Sequence, residues 1–387
     1  MRSAEVVIVG GGIIGASVAY HLAARGCRDV LVLERGARRG EGSTGRAAGG
    51  FRAQFATPVN IGLSLLSREK LLAFRDETGV DPGFRQCGYL FIARSKAELD
   101  ALLSTQTVQH ACGVAEASAV SVEDIRRLNP AVEAEGIVGG VFCPTDGFIR
   151  PLEILRGYTE AAARLGVRFE HGVALEGFRT DSNGRIREVR TTDGVIAAGH
   201  VVNAAGAWAS QIARLAGIEI PVAPLRRQVA VTQPFSLLPE DMPMTIFVDD
   251  GFHLRVRDGR VLLLWPDEPK IEDAFDTSVE DAWVSEVVMK AHARVPCLKG
   301  AEIDRDACWA GLYEMSPDKH ALLGVAEGLE NFYLANGSSG HGVMHSPALG
   351  QLLAEIILDG EATTLDVRAL RSSRFAEGEP NIAPDFL

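Results

Sequence analysis

An apolar, β-branched run from Glu5 to Val9 breaks at Gly10-Gly11-Gly12-Ile13-Ile14-Gly15, and the chain resumes from Ala16 to Arg25 with helical composition that ends at Gly26. A second apolar run, Val30 to Leu33, ends in Glu34. The predicted order is strand, tight loop, helix, strand. Gly10 permits the turn, Gly12 lets the backbone approach a pyrophosphate, and Gly15 lets helix and strand pack closely; the helix N-terminus supplies oriented N–H donors. Glu34 stands near the position where a carboxylate grips a ribose hydroxyl pair, which disfavours a 2′-phosphate and leaves FAD or NAD. The pattern predicts a dinucleotide site.

Further along, Pro151 to Leu165 reads as a helix and Val167 to Val173 as a strand. Val201 to Ala205 reads as a buried strand whose Ala-Ala-Gly end leaves room for a cofactor to pass, with Trp208 opening a helix. Phe332 to Ala335 is an apolar strand entering a glycine-rich loop, and Ser346-Pro347 starts a helix running to about Leu358. Gly88 to Ala93, Gln228 to Thr232, Phe252 to Val256 and Arg260 to Leu264 read as strands of another sheet. The small-residue stretch from Gly42 to Arg52 follows Glu34-Arg35-Gly36, where an NAD enzyme normally continues its sheet. Its composition suits backbone laid against a large flat ligand, which selects FAD.

Composition adds limits. The 387 residues exceed what one hydrophobic core supports, so two structural units are expected. A hydrophobic content of 47% excludes a mostly disordered chain. The formal charge of −12 opposes adsorption to nucleic acid or anionic lipid and favours a small or protein partner. The cysteines, Cys27, Cys87, Cys112, Cys143, Cys297 and Cys308, are scattered without CxxC or metal-ligand spacing, as in a reducing compartment. The stretch from Val6 to Ala24 mimics a signal peptide, but its glycine triplet would interrupt the helix, and no later segment offers about 18 uninterrupted apolar residues. A cytoplasmic location is expected.

The loop Gly42-Ser43-Thr44-Gly45-Arg46-Ala47-Ala48-Gly49-Gly50-Phe51-Arg52 resembles the D-amino-acid oxidase superfamily of FAD enzymes, within it the glycine oxidase and sarcosine oxidase β-subunit group. The resemblance extends through Val201 to Trp208, Trp309-Ala310-Gly311-Leu312-Tyr313 with Ser316-Pro317-Asp318, and Asn331 to Ala335 leading into Gly337-Ser338-Ser339-Gly340-His341-Gly342. It implies an α/β fold: a Rossmann-like, GR2-type FAD-binding domain with a second, mixed-sheet α+β substrate domain. The motifs divide the chain into a discontinuous FAD domain, 1–86, 141–220 and 310–387, and a cap from 87–140 and 221–309. Cofactor contacts are expected from Gly10, Gly12, Ile13, Ile14, Gly15, Glu34 and Arg35, and from Ser43, Thr44, Arg46, Ala47, Ala48, Gly49 and Gly50. The later motifs add Val173, Ala204, Ala205, Gly206, Trp208, Gly311, Gly337, Gly340, His341, Gly342, Val343 and Met344. Relatives place the C-terminal loop and helix end at the flavin pyrimidine edge, where positive potential stabilises the reduced anion. The position matching the flavin-linked cysteine of some sarcosine oxidases is Gly311. Cys308 lies an odd offset away, on the opposite face of an extended strand. No histidine occurs between His21 and His110, so noncovalent FAD is expected.

The resemblance implies oxidation of a CH–NH bond by hydride transfer to flavin N5, then imine hydrolysis, in a sarcosine-, glycine- or proline-like substrate. Arg52 matches an arginine that binds the substrate carboxylate, whereas Arg46 is expected to meet cofactor phosphate or solvent. The second carboxylate contact of sarcosine oxidases, a lysine, is Met344 here, which leaves Arg52 alone, His345, or a bulkier and less polar substrate. His253, Arg255 and Arg257 alternate on one strand and read first as a solvated sheet face. The chain has only Lys70, Lys96, Lys270, Lys290, Lys299 and Lys319, none in the strand that carries the oxygen-activating lysine of the oxidases. This tilts the expectation toward a dehydrogenase, with oxygen, a quinone or a carrier protein as the range of acceptors, and a partner subunit as one option. Two other readings stay open. One is an FAD-dependent 2-hydroxy-acid dehydrogenase with His253, His341 or His345 as base; the other is a non-catalytic flavoprotein assembly factor.

Overall fold

A computed structural model describes residues 2–267 and 273–382, so Lys270 lies outside the described residues. The described residues build two eight-stranded sheets and a two-stranded one. The first sheet runs in the order Leu322–Val325, Phe332–Asn336, Gly194–Asn203, Arg2–Val9, Val30–Glu34, Arg168–His171, with Ile186–Thr191 and Leu175–Thr180 extending antiparallel from Gly194–Asn203. Its five central strands are parallel, from Phe332–Asn336 to Arg168–His171, and Val9 pairs with both Leu33 and Asn203. Their C-terminal ends therefore meet at one edge, where doubly wound sheets bind ligands.

Helices Ile13–Ala24, Pro151–Arg164 and Gly342–Asp359 cover one face of this sheet, burying Val6, Ile8, Val18, Leu22, Ile154 and Leu352 together. Ala209–Leu215 and the antiparallel strands cover the other. The apolar run Val6 to Val9 is buried on both faces, which is why it shows no alternation.

The second sheet follows the order Trp309–Met315, Ala223–Val231, Arg260–Leu264, His253–Arg257, Met244–Phe247, Tyr89–Ala93, Gly139–Cys143, Ser118–Val120. One face packs Leu254, Val256, Val261 and Leu263 under helix Asp281–Arg294. The other turns toward the first sheet. Strands of the second sheet reach residues 143 and 315 rather than stopping at the expected limits of 140 and 309. Among the described residues no helix is long and apolar enough to cross a membrane.

The last long helix begins at Gly342, not at the expected Ser346. Pro347 sits inside it without breaking it. Proline has no N–H, so the Val343 carbonyl lacks its helical donor, and the Ser346 hydroxyl donates to it instead at 2.9 Å. Ser346→Ala is expected to lower stability by about 1–2 kcal/mol, read as a drop in thermal midpoint. In a Pro347→Ala background the cost should shrink, because the restored N–H serves the same carbonyl; an equal cost in both backgrounds excludes this account.

Candidate active site

The turn after the first strand is tightly determined. Gly10 has φ +113° and packs against the Ala204 carbonyl, with its N–H bonded to Leu33 O at 2.8 Å. The Glu34 carboxylate accepts N–H groups of Gly11 at 2.9 Å and Gly36 at 2.7 Å. Thr44 Oγ1 accepts the Ile13 N–H at the helix start, beside Gly12 and Ile14. Val173 N–H bonds Glu34 O, Ala204 N–H bonds Val9 O, and Ala205 N–H bonds the Asn203 side chain, so these predicted residues gather at the sheet edge. Trp208 closes a short 3-10 turn with Gly206 and precedes the helix at Ala209; its ring lies 3.8 Å from the Arg35 guanidinium and stacks on Phe275.

The loop from Ser43 to Gly50 runs under the second sheet and is held by it. Ser43 Oγ donates to Leu312 O, and Arg46 Nη1 to Ala310 O at 2.9 Å. Arg46, partly exposed, thus bonds strand backbone through Nη1. Arg255 and Arg257 are not a solvated face: Arg255 Nη1 donates to the carbonyls of Ala48 and Gly49, both at 2.9 Å, and Arg257 Nη1 to that of Ala47. Polar alternation on this strand marks a side turned to backbone carbonyls instead of water. Gly50 forms the short strand to Phe148, and a Cβ on Gly311 would meet Arg46.

Arg52 follows and is 8% exposed. Its Nη1 donates to Gln54 O at 2.6 Å, its Nη2 lies 3.4 Å from His341 Nε2, and its guanidinium sits 4.0 Å above the Phe55 ring. Among the described residues no carboxylate stands within ion-pair distance of it. Behind it, buried Asp146 accepts the Ala53 N–H at 2.7 Å and the Gln54 amide at 3.0 Å, fixing the segment that carries the arginine. Burial pushes the Asp146 carboxyl up to about 6.

His341 precedes the helix Gly342–Asp359, edge-on to Phe55 at 4.6 Å. Burial, and then the Arg52 charge, hold its imidazole well below the usual histidine range. His345 is held down to about 3 by the same two causes, and its Nε2 bonds Ser64 Oγ at 2.8 Å. A neutral, engaged imidazole cannot serve as the carboxylate's cation, so His345 is removed from that role. Met344 lies in the first turn of this helix, buried in the same apolar cluster as Ile13, Ile14 and Phe55, and Val343 packs against that cluster. His253 lies on the second sheet's site face, its Nδ1 bonded to Gly251 O and its imidazole held down by burial.

Sequence reasoning missed Phe55, Asp146, Arg227 and the Tyr313 and Glu314 side chains. Arg227 pairs in register with Gly311, and Tyr313 with Leu225, so both side chains leave the face that bears His253 and Arg255. Alternation of Arg227, Val229 and Val231 was the available signal. Glu314 points to the other side, where its backbone carbonyl accepts Ser339 N–H and its Oε1 accepts Ser338 N–H, anchoring the glycine-rich loop. In the same loop, a Cβ at Gly340 would run into the Tyr313 ring, and one at Gly342 would press Ser338 and Ile14.

Burial pushes the Glu314 carboxyl up to about 7 from 4.5. The folded protein therefore keeps a proton that the unfolded chain has lost, and this group removes stability as pH rises from about 4.5 to about 7. Glu314→Gln is expected to match the parent near pH 4.5 and to gain on it by about 1–3 kcal/mol near pH 7.5. Parallel thermal melts check this; a difference independent of pH would refute it.

Three features fit a bound dinucleotide. Backbone N–H groups open at a helix N-terminus, a carboxylate stands at the second strand's end, and Asn336, Ser338 Oγ and Glu314 Oε2 are buried without partners among the described residues.

Known proteins agree with this geometry. A chain named FAD-dependent oxidoreductase domain-containing protein 1 from Xenopus laevis is 31% identical, covering 97% of this chain and 83% of its own. Mitochondrial dimethylglycine dehydrogenase from Homo sapiens is 30% identical over 92% of this chain, which spans 43% of that enzyme's length. The crystal structure of L-proline dehydrogenase from P. horikoshii superposes with a TM-score of 0.91 at 32% identity, covering 98% of this chain and 100% of that one. Residues 5–356 match the family described as DAO, FAD dependent oxidoreductase, so the chain belongs to the DAO family of FAD-dependent oxidoreductases, with FAD as its cofactor.

Proposed function

We propose that the protein oxidises the CH–NH bond of an amino acid or N-alkyl amino acid. The observation that carries this is Arg52, a buried guanidinium on an aromatic shelf with no carboxylate partner among the described residues. A buried cation without a direct ion-pair partner is costly; Asp146 acts on Arg52 only from further off, and a substrate carboxylate is the natural complement. When bound, FAD supplies a two-electron acceptor at N5. The chain's own residues orient and exclude: Arg52 fixes the carboxylate, Asp146 fixes the segment that carries Arg52, and buried Phe55 and Phe91 beside the guanidinium screen it from water. Neutral His341 accepts from Arg52 and adds no charge that would repel an amine. Relatives named dimethylglycine dehydrogenase and L-proline dehydrogenase support the substrate class.

The two-domain division, with the flavin between the sheets, the residue assignments above and a cytoplasmic location belong to the same reading, the last supported by six free cysteines. So does noncovalent FAD. Cys308 Sγ donates to Asp304 O and accepts the Val231 N–H within the second sheet, leaving Gly311 at the loop. We favour a dehydrogenase over an oxidase for want of a lysine on strand Arg260–Leu264. The test is anaerobic mixing of the holoenzyme with sarcosine, dimethylglycine, L-proline and 2-hydroxy acids. Flavin bleaching by the amines supports the reading, and bleaching by hydroxy acids alone overturns it. Air reoxidation at the rate of good oxidases would remove the dehydrogenase preference, and flavin that stays with acid-precipitated protein would remove the noncovalent one.

A further inference from the structure

A second cation in the cleft has no task in the chemistry above. Arg226 and Arg227 are neighbours on the strand Ala223–Val231 and so leave opposite faces of the sheet. Arg226 is fully buried and paired with Asp276 and Glu280. Arg227, on the site face, is anchored among the described residues by backbone: its Nη1 donates to Asp267 O at 2.7 Å and Arg226 O at 3.3 Å. Those bonds orient the guanidinium without neutralising it. Among the described residues no carboxylate reaches Arg227 within ion-pair distance; Asp267, the acid that acts on it from further off, is itself pushed up by burial.

Strand register puts Arg227, Tyr313 and His253 on one face of the second sheet. The Tyr313 ring packs against Gly340, the neighbour of His341, whose Nε2 lies 3.4 Å from Arg52 Nη2. The two arginines therefore flank one space lined by Tyr313 and His341, and after burial both charges help to lower the His253 imidazole. A substrate with a single carboxylate and a neutral amine would answer only one of the two charges.

Resting on the proposed amine oxidation, we infer that Arg227 anchors a second anionic group, and that the preferred substrate is an N-substituted amino acid bearing two carboxylates. The α-carboxylate lies on Arg52 and the distal one on Arg227, so the dianion meets both cations across the cleft. Arg227 is then the residue that sets specificity for the reaction.

The test uses the FAD-loaded protein and two kinds of probe. In anaerobic flavin reduction, iminodiacetate and N-methyl-L-glutamate are expected to exceed sarcosine and L-proline in kcat/KM by about tenfold or more, and Arg227→Gln should cut that dicarboxylate-to-monocarboxylate ratio by roughly 30-fold. Arg227→Lys should keep part of the ratio, and it serves as the second variant where the glutamine form loses flavin. A wild-type preference for monocarboxylates, or a ratio unchanged in both variants, overturns the inference. Binding of glutarate against acetate, followed by flavin absorbance, separates the two claims. If no amine bleaches the flavin yet glutarate binds more tightly and loses that advantage in Arg227→Gln, the amine chemistry fails and the second anchor stands. If glutarate has no advantage, the anchor fails whatever the amines do.

Discussion

Arg52→Ala lowers kcat/KM for anaerobic flavin reduction by roughly 10²–10³-fold, almost all of it in KM. Truncating one member of a buried charge pair costs about 3–5 kcal/mol, and each 1.4 kcal/mol is about a decade. The effect falls on KM because a carboxylate held equally in ground and transition states contributes uniform binding. Stability should move little: the guanidinium is 8% exposed with no carboxylate partner among the described residues, so removing it also removes a buried charge. A second signature follows from its neighbours. The Arg52 charge helps to hold His341 and His345 down, so in the variant both imidazoles rise toward the ordinary histidine range. Protonation then begins at higher pH, and activity at low pH falls off earlier than in the parent. Arg52→Lys keeps the charge but loses the fork and the stacking on Phe55, placing it between the two. A change in KM of less than about fivefold in Arg52→Ala would remove the carboxylate role.

Gly10→Ala abolishes the flavoprotein. At φ +113° an L side chain is strained, and its Cβ would overlap the Ala204 carbonyl oxygen. Neither side can retreat, since Gly10 N–H bonds Leu33 O and Ala204 N–H bonds Val9 O. Backbone strain and overpacking together cost about 3–5 kcal/mol. They also displace the turn that opens the helix Ile13–Ala24, proposed above to hold the cofactor. The expected outcome is a flavin-to-protein absorbance ratio below about a tenth of the parent's, with a lowered thermal midpoint. Gly26→Ala is the control: it shares a positive φ of +99° but has nothing within 4 Å of the added methyl. It should cost only about 1–2 kcal/mol and keep its flavin. Equal behaviour of the two variants would show that the turn's close approach is not what the cofactor needs.

The first turn was legible because its information is local: a β-branched run, a glycine triplet and an acid all lie between Glu5 and Glu34. The motif around Gly311 and the loop from Gly337 to Gly342 were legible for the same reason. The start of the last helix was not. Pro347 looks like a helix beginning, but the helix extends back to Gly342, and the Ser346 hydroxyl serves the Val343 carbonyl that the proline leaves without a donor. That shift of four residues puts Met344 and His345 on a helix rather than in a loop, Met344 in a buried apolar cluster and His345 against Ser64.

Polar residues on strands show the same limit. Alternation marks Arg255 and Arg257 as sharing a face, but whether that face meets water or the carbonyls of Ala47, Ala48 and Gly49 depends on a loop two hundred residues away in the chain. The sequence by itself determined the dinucleotide turn, the family and the arginine to test, because periodicity and turn chemistry act between near neighbours. Only the tertiary structure decided which charges are left without partners. Arg226 and Arg227 are adjacent and chemically identical, and what separates them is that one face of a sheet meets Asp276 and Glu280 while the other, which bears His253 and Tyr313, offers Arg227 no ion-pair partner among the described residues.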